Sequence, residues 1–114
     1  MKATRILITD AIGSPNAILQ SFGAKVFDVV AERLSSGEKV ILDFAGVANI
    51  TSGFCNASIG QLYTVFSDIA DSHIHIENID QSSIWYEKIQ DSIELAVNPE
   101  KSKIIDSAIL ALFD

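Results

Sequence analysis

Two adjacent hydroxyls, Thr51 and Ser52, follow a strand-like run and open a stretch of helical periodicity. A side-chain oxygen at a helix start has two uses. It can accept a hydrogen bond from a free backbone N–H as an N-cap, worth about 0.5–2 kcal/mol. It can instead carry a phosphate, whose roughly −1.5 to −2 charges would meet the positive end of the helix dipole. On residue types alone capping is the commoner use of Ser52. Cys55, in the first turn of the same helix, could be an activated thiolate, with His73 or His75 as base for a cysteine hydrolase. Free cysteine is among the most buried residue types, and no local signature of a nucleophile surrounds it, so packing is the expected role.

Asp43 ends an apolar run, where open α/β sheets place ligands, and could be an active-site carboxylate. The expected role is a hydrogen bond to the following turn, since no second carboxylate is evidently paired with it. His73, His75 and Glu77 alternate in HIHIEN as metal ligands on one strand face would. Alternate strand positions lie about 6.5 Å apart, so zinc would need ligands from elsewhere, and a solvated strand face is expected. Trp85-Tyr86 reads as packing rather than a stacking platform. Gly46 to Gly53 has no lysine after its second glycine and G-x-G-x-x-G does not occur, so no phosphate loop is signalled.

The elements that must position these residues follow from periodicity. Ile6, Leu7 and Ile8 read as a strand, with a turn at Ala11 to Gly13. Ser14-Pro15 reads as a helix start, with Ile18, Phe22, Val26, Val29, Val30 and Leu34 at helical spacing and Ser35-Ser36-Gly37 as the stop. Gly23 inside that helix marks a break or a close packing point. Lys39 to Phe44 is a second strand, central because Val40, Ile41 and Leu42 are consecutive. From Ser52, the residues Phe54, Leu62, Val65, Phe66 and Ile69 trace a helical stripe ending near Asp71. His73 to Asn78 is a third strand nearer the sheet edge, Ser82 to Ala96 a third helix, and Glu100 to Phe113 a fourth beyond Asn98-Pro99. Such alternation predicts an α/β fold with a mixed or parallel sheet, right-handed crossovers and about four packed helices.

Composition narrows the function classes. At 114 residues the chain fits one domain, and 48% hydrophobic residues leave little room for disorder. No apolar run reaches the roughly 20 residues needed to span a bilayer, and MKATRILITD lacks a signal-peptide profile. One cysteine excludes an internal disulfide, so a cytoplasmic protein is the default. A formal net charge of −7 and a pI near 4.6 argue against nucleic acid and anionic membranes.

The run Leu42-Asp43-Phe44-Ala45-Gly46-Val47, followed by Ile50-Thr51-Ser52-Gly53-Phe54, resembles the signature of the STAS superfamily, small regulatory domains that include bacterial anti-sigma-factor antagonists. Asp43, Phe44, Gly46, Val47, Ile50, Ser52 and Phe54 are most similar to its uncharacterised prokaryotic STAS-like branch. Thr51 stands where the antagonists have aspartate, Phe54 where they have glycine, and Asn56 and Ala57 where acidic residues are usual in the STAS-like branch. The resemblance implies a non-enzymatic cytoplasmic signalling domain without cofactor. It would bind a histidine-kinase-like ATPase, acting as serine kinase or anti-sigma factor. It implies that Ser52, with Thr51 beside it, is the phosphorylation switch, and that Gly53, Asn49 and Asn56 belong to the partner-binding face with the turn Ala45 to Ile50. Two alternatives stand beside it: a small hydrolase using Cys55, and a structural subunit forming a homodimer with Ser52 as a plain cap.

Overall fold

The computed structural model describes residues 3–98, so the helix expected over Glu100 to Phe113 lies outside the described residues. Three parallel strands, β1 (Ala3–Leu7), β3 (Lys39–Asp43) and β5 (Ile74–Glu77), form a sheet in the order β1-β3-β5. The α/β class, the central place of Val40 to Asp43 and the edge place of the Ile74 strand are as the sequence predicts. Register puts Arg5, Ile41 and His75 in one row and Leu7, Asp43 and Glu77 in the next row on the same face. The alternate positions Ile6, Val40, Leu42 and Ile74 are buried, in one cluster with Val26, Val30, Leu34, Phe54, Ile59, Leu62 and Ile89 from the helices. Each such aliphatic side chain contributes about 1.5–3 kcal/mol when fully buried.

The first strand is shorter than its apolar run. Pairing ends at Leu7 opposite Asp43, because beyond Asp43 the partner strand turns away, with Gly46 at φ +81°. Ile8 therefore opens a short helix, α1 (Ile8–Ile12), which buries Ile8 and Ile12 four residues apart and closes on left-handed Gly13. The helix start expected at Ser14-Pro15 is displaced as well. Ser14 Oγ accepts from the N–H of Asn16 at 3.0 Å, and the Ala48 N–H donates to the Pro15 carbonyl at 2.7 Å. Asn16–Ala17 becomes a short strand, β2, parallel to β4 (Asn49–Ile50). A tertiary pairing thus overrides a local helix signal. The helix α2 (Gln20–Ser35) starts later, which leaves Ile18 and Leu19 outside it, 45% and 50% exposed.

The helix expected from Ser52 to Asp71 is broken into parts: α3 (Ser52–Cys55), a π-turn at Asn56–Gly60, α4 (Gln61–Val65) and, after a turn, α5 (Ala70–His73). Ser58 Oγ donates to the Phe54 carbonyl at 2.7 Å, competing with the helical ladder there. The widened turn rotates the downstream face by roughly one residue, about 100°. That buries Tyr63 and leaves Val65 exposed, against the expected stripe. Gly23 of α2 is a close packing point. A Cβ there would stand 2.7 Å from both the Ala57 Cβ and the Phe54 carbonyl oxygen. The last described helix, α6 (Ile84–Val97), is capped by Ser83, whose Oγ accepts from Tyr86 N–H at 3.2 Å. Among the described residues no helix is long and apolar enough to cross a membrane.

Candidate functional site

The helix start after β4 is built by Thr51, not Ser52. Thr51 holds extended backbone angles, and its Oγ1 accepts from the Phe54 N–H at 3.2 Å. The same hydroxyl donates to the Ile18 carbonyl at 2.9 Å, and the Thr51 N–H donates to the Ala17 carbonyl at 3.2 Å. The threonine hydroxyl is thus occupied in both directions. Ser52, the first residue inside α3, is exposed and its hydroxyl has no hydrogen-bond partner among the described residues. The expectation that Ser52 is the N-cap is corrected: of two adjacent hydroxyls, only the extended one can reach back to the free amide.

The surroundings of Ser52 are mixed. Gly53 lies against α2, where a Cβ would meet the Gln20 Cγ at 3.4 Å. Asn49 is exposed and donates through Nδ2 to Asn16 Oδ1 at 2.7 Å. Asn56 accepts from Ser92 Oγ at 2.7 Å, which ties the π-turn to α6. Thr51, Ser52, Gly53 and Asn49 therefore share one end of the molecule, while Asn56 also serves a helix–helix contact. Sequence reasoning placed Ile18 in a buried stripe and passed over Leu19; both are exposed, and the Ile18 carbonyl accepts from Thr51 Oγ1. The Asn16-Ala17 pairing that puts them there has no signal of its own in a two-residue strand.

Asp43 is buried and fully engaged. Its Oδ1 accepts from Asn78 Nδ2 at 2.8 Å and from the Ala45 N–H at 2.9 Å, and its Oδ2 from Arg5 Nη1 at 2.9 Å. The Asn78 bond first, then the turn amide and Arg5, hold its carboxyl below the usual carboxylate range. The turn bond is as expected. A second carboxylate is nonetheless near: Arg5 Nη2 also reaches Glu77 Oε1 at 3.0 Å, and the Glu77 and Asp43 bonds raise the guanidinium further. The cation separates the two carboxylates and leaves neither set up for acid–base exchange. This clamp depends on the diagonal offset of Arg5 from the Leu7-Asp43-Glu77 row, which register reveals and sequence does not.

Cys55 is fully buried, and loss of water pushes its thiol up to about 12. A thiol in that state supplies no nucleophile at neutral pH, so the cysteine-hydrolase alternative loses its reacting group. His73 does not share a strand face with His75 and Glu77. It closes α5, with its Nδ1 2.8 Å from Ser72 Oγ, because β5 begins only at Ile74, opposite Val40. Glu77 is held by Arg5, and no group of three candidate ligands that could hold a metal occurs among the described residues.

Compared with known proteins, residues 23–83 match a family model described as a STAS-like domain of unknown function (DUF4325). The match runs from Gly23 in α2 to Ser83 at the cap of α6, and so includes β3, the Thr51-Ser52 helix start and β5. Neither the curated proteins nor the solved structures gave a match.

Proposed function

Because the chain belongs to the family of STAS-like domains of unknown function, we propose that it is a non-enzymatic, cytoplasmic regulatory domain that binds a protein partner around Ser52. The partner class is a histidine-kinase-like ATPase, and phosphorylation of Ser52 sets the affinity. One observation carries this reading: the Ser52 hydroxyl is exposed and has no hydrogen-bond partner among the described residues, while Thr51 does the capping. Modification of Ser52 therefore breaks no bond of its side chain to those residues. Ile18, whose carbonyl is bonded to Thr51, and Leu19 after it are exposed and offer apolar area, of the kind that anchors a partner. A phosphate at Ser52 would be tolerated by the start of the helix, yet it would present about two charges to an apolar contact.

The test is to incubate the protein with ATP and each histidine-kinase-like ATPase of its own genome, then map phosphate by mass spectrometry. Phosphate on Ser52, lost in Ser52→Ala, is expected. Phosphate confined to other residues, or none with any such ATPase, would contradict the switch.

A further inference from the structure

A cavity of about 310 Å³ opens where β3 and β5 end and α6 begins. Phe44, Val47, Ile79 and Trp85 give it an apolar wall, and Asn78 and Asp80 bring polar groups to it. Ligands of open α/β sheets sit outside the carboxyl ends of the strands, and pockets of about 300–1,000 Å³ are the usual size. The wall is held in place. Asn78 has a left-handed backbone, φ +59°, fixed by its Nδ2 bond to Asp43 at 2.8 Å. Asp43 is in turn held by Arg5.

The charged group at the cavity is the Asp80 carboxylate. Asp80 Oδ1 takes both the N–H and the O–H of Ser82, at 2.9 and 2.7 Å, and its Oδ2 keeps its lone pairs. Ser83 Oγ donates its only proton to the Asp80 carbonyl at 2.6 Å and accepts from the Tyr86 N–H, so it has no donor left for a ligand. Asn78 uses one of its two Nδ2–H groups on Asp43 and retains its carbonyl oxygen. A ligand group directed at Asp80 must bring a donor. The positive end of α6 would by itself favour an anion, but Asp80 already stands there. A net charge of −7 further repels anions and draws cations. Trp85 supplies the aromatic ring best suited to a cation.

We infer that this cavity binds a small organic cation, its apolar body against Phe44, Val47, Ile79 and Trp85 and its ammonium group directed at Asp80. The Ser82 bonds hold the Asp80 carboxyl below the usual range, so it is charged at neutral pH. The assignment does not rest on the reading of Ser52, although Ile50 in the cavity wall leads directly into the Thr51-Ser52 helix start.

Trp85 is the only tryptophan, so its fluorescence reports on the cavity. Three matched probes differ only in their polar end: phenethylamine, phenethyl alcohol and hydrocinnamate. The amine should give a saturable change with a Kd on the order of 1 mM, as suits so small a molecule. The alcohol and the carboxylate should bind at least about tenfold more weakly, the scale of one charge-assisted hydrogen bond. Asp80→Asn should weaken the amine about tenfold and leave the alcohol unchanged. Amide chemical-shift changes on Phe44, Val47 and Ile79 in the unaltered protein should locate the amine without any substitution. No saturable change with the amine, equal binding of the carboxylate, or shifts confined to other residues would overturn the assignment.

Discussion

Thr51 Oγ1 lies between the Ile18 carbonyl and the Phe54 amide, whereas Ser52 Oγ touches neither. The two hydroxyls should therefore respond differently to truncation. Thr51→Ala should cost about 0.5–2 kcal/mol as a lost cap, and Ser52→Ala less than about 0.5 kcal/mol as an exposed substitution. Thermal melting of both variants decides it; equal losses would return the capping role to Ser52. Cys55 supplies a second check at this scale. Its buried thiol should resist iodoacetamide at neutral pH in the folded protein and react once the protein is unfolded in urea. Rapid alkylation of the folded protein would restore a reactive cysteine.

Asp43 makes stability depend on pH. Its folded pKa is depressed, so its contribution is fully present above the unfolded value of about 3.9. It is lost as pH falls from there through the folded value. Asp43→Asn should lower stability by about 1–3 kcal/mol at neutral pH, because its amide can replace only one of the two oxygens that accept from Arg5 on one side and from Ala45 and Asn78 on the other. It should also flatten the acid limb of the melting curve, since the asparagine does not titrate. An unchanged acid limb in Asp43→Asn would show that other carboxylates carry it.

Among the elements, α2 and the helix after Ser52 meet most closely at Gly23. Gly23→Ala would improve helix propensity in isolation by up to about 1 kcal/mol. The added Cβ instead meets backbone at Phe54 and the Ala57 Cβ, so a net destabilisation of about 1–3 kcal/mol is expected in chemical denaturation. A stabilised variant would show that the two elements are not in contact there. The central strand, the helix stop at Ser35 to Gly37 and the helix start at Thr51-Ser52 were legible because each has strong local chemistry. Three consecutive aliphatics, a glycine stop and a pair of hydroxyls need no tertiary information to be read. The Ser14-Pro15 start misled because pairing of Asn16–Ala17 with Asn49–Ile50 outweighed a good local signal. The π-turn at Asn56–Gly60 was illegible for another reason: it depends on one serine hydroxyl choosing a carbonyl four residues back. At the candidate site, Ser52 was proposed from its motif. Ile18, Leu19 and the Arg5 clamp required the fold.

For the whole molecule, the exposed Ser52 and the cavity beside Trp85 are neighbours, because Ile50 lines the cavity and leads into the Thr51-Ser52 helix start. The central claim is that charge at Ser52 releases a protein partner without unfolding the domain. Aspartate suits the first turn of a helix, so Ser52→Asp should melt within about 1 kcal/mol of the unaltered protein. The direct measurement is calorimetric titration of the unaltered protein, Ser52→Ala and Ser52→Asp into any histidine-kinase-like ATPase found to phosphorylate it. The expected result is Ser52→Ala binding like the unaltered protein and Ser52→Asp binding at least about tenfold more weakly, a loss of 1.4 kcal/mol or more. Equal affinity of all three forms, with the aspartate variant still folded, would contradict the account.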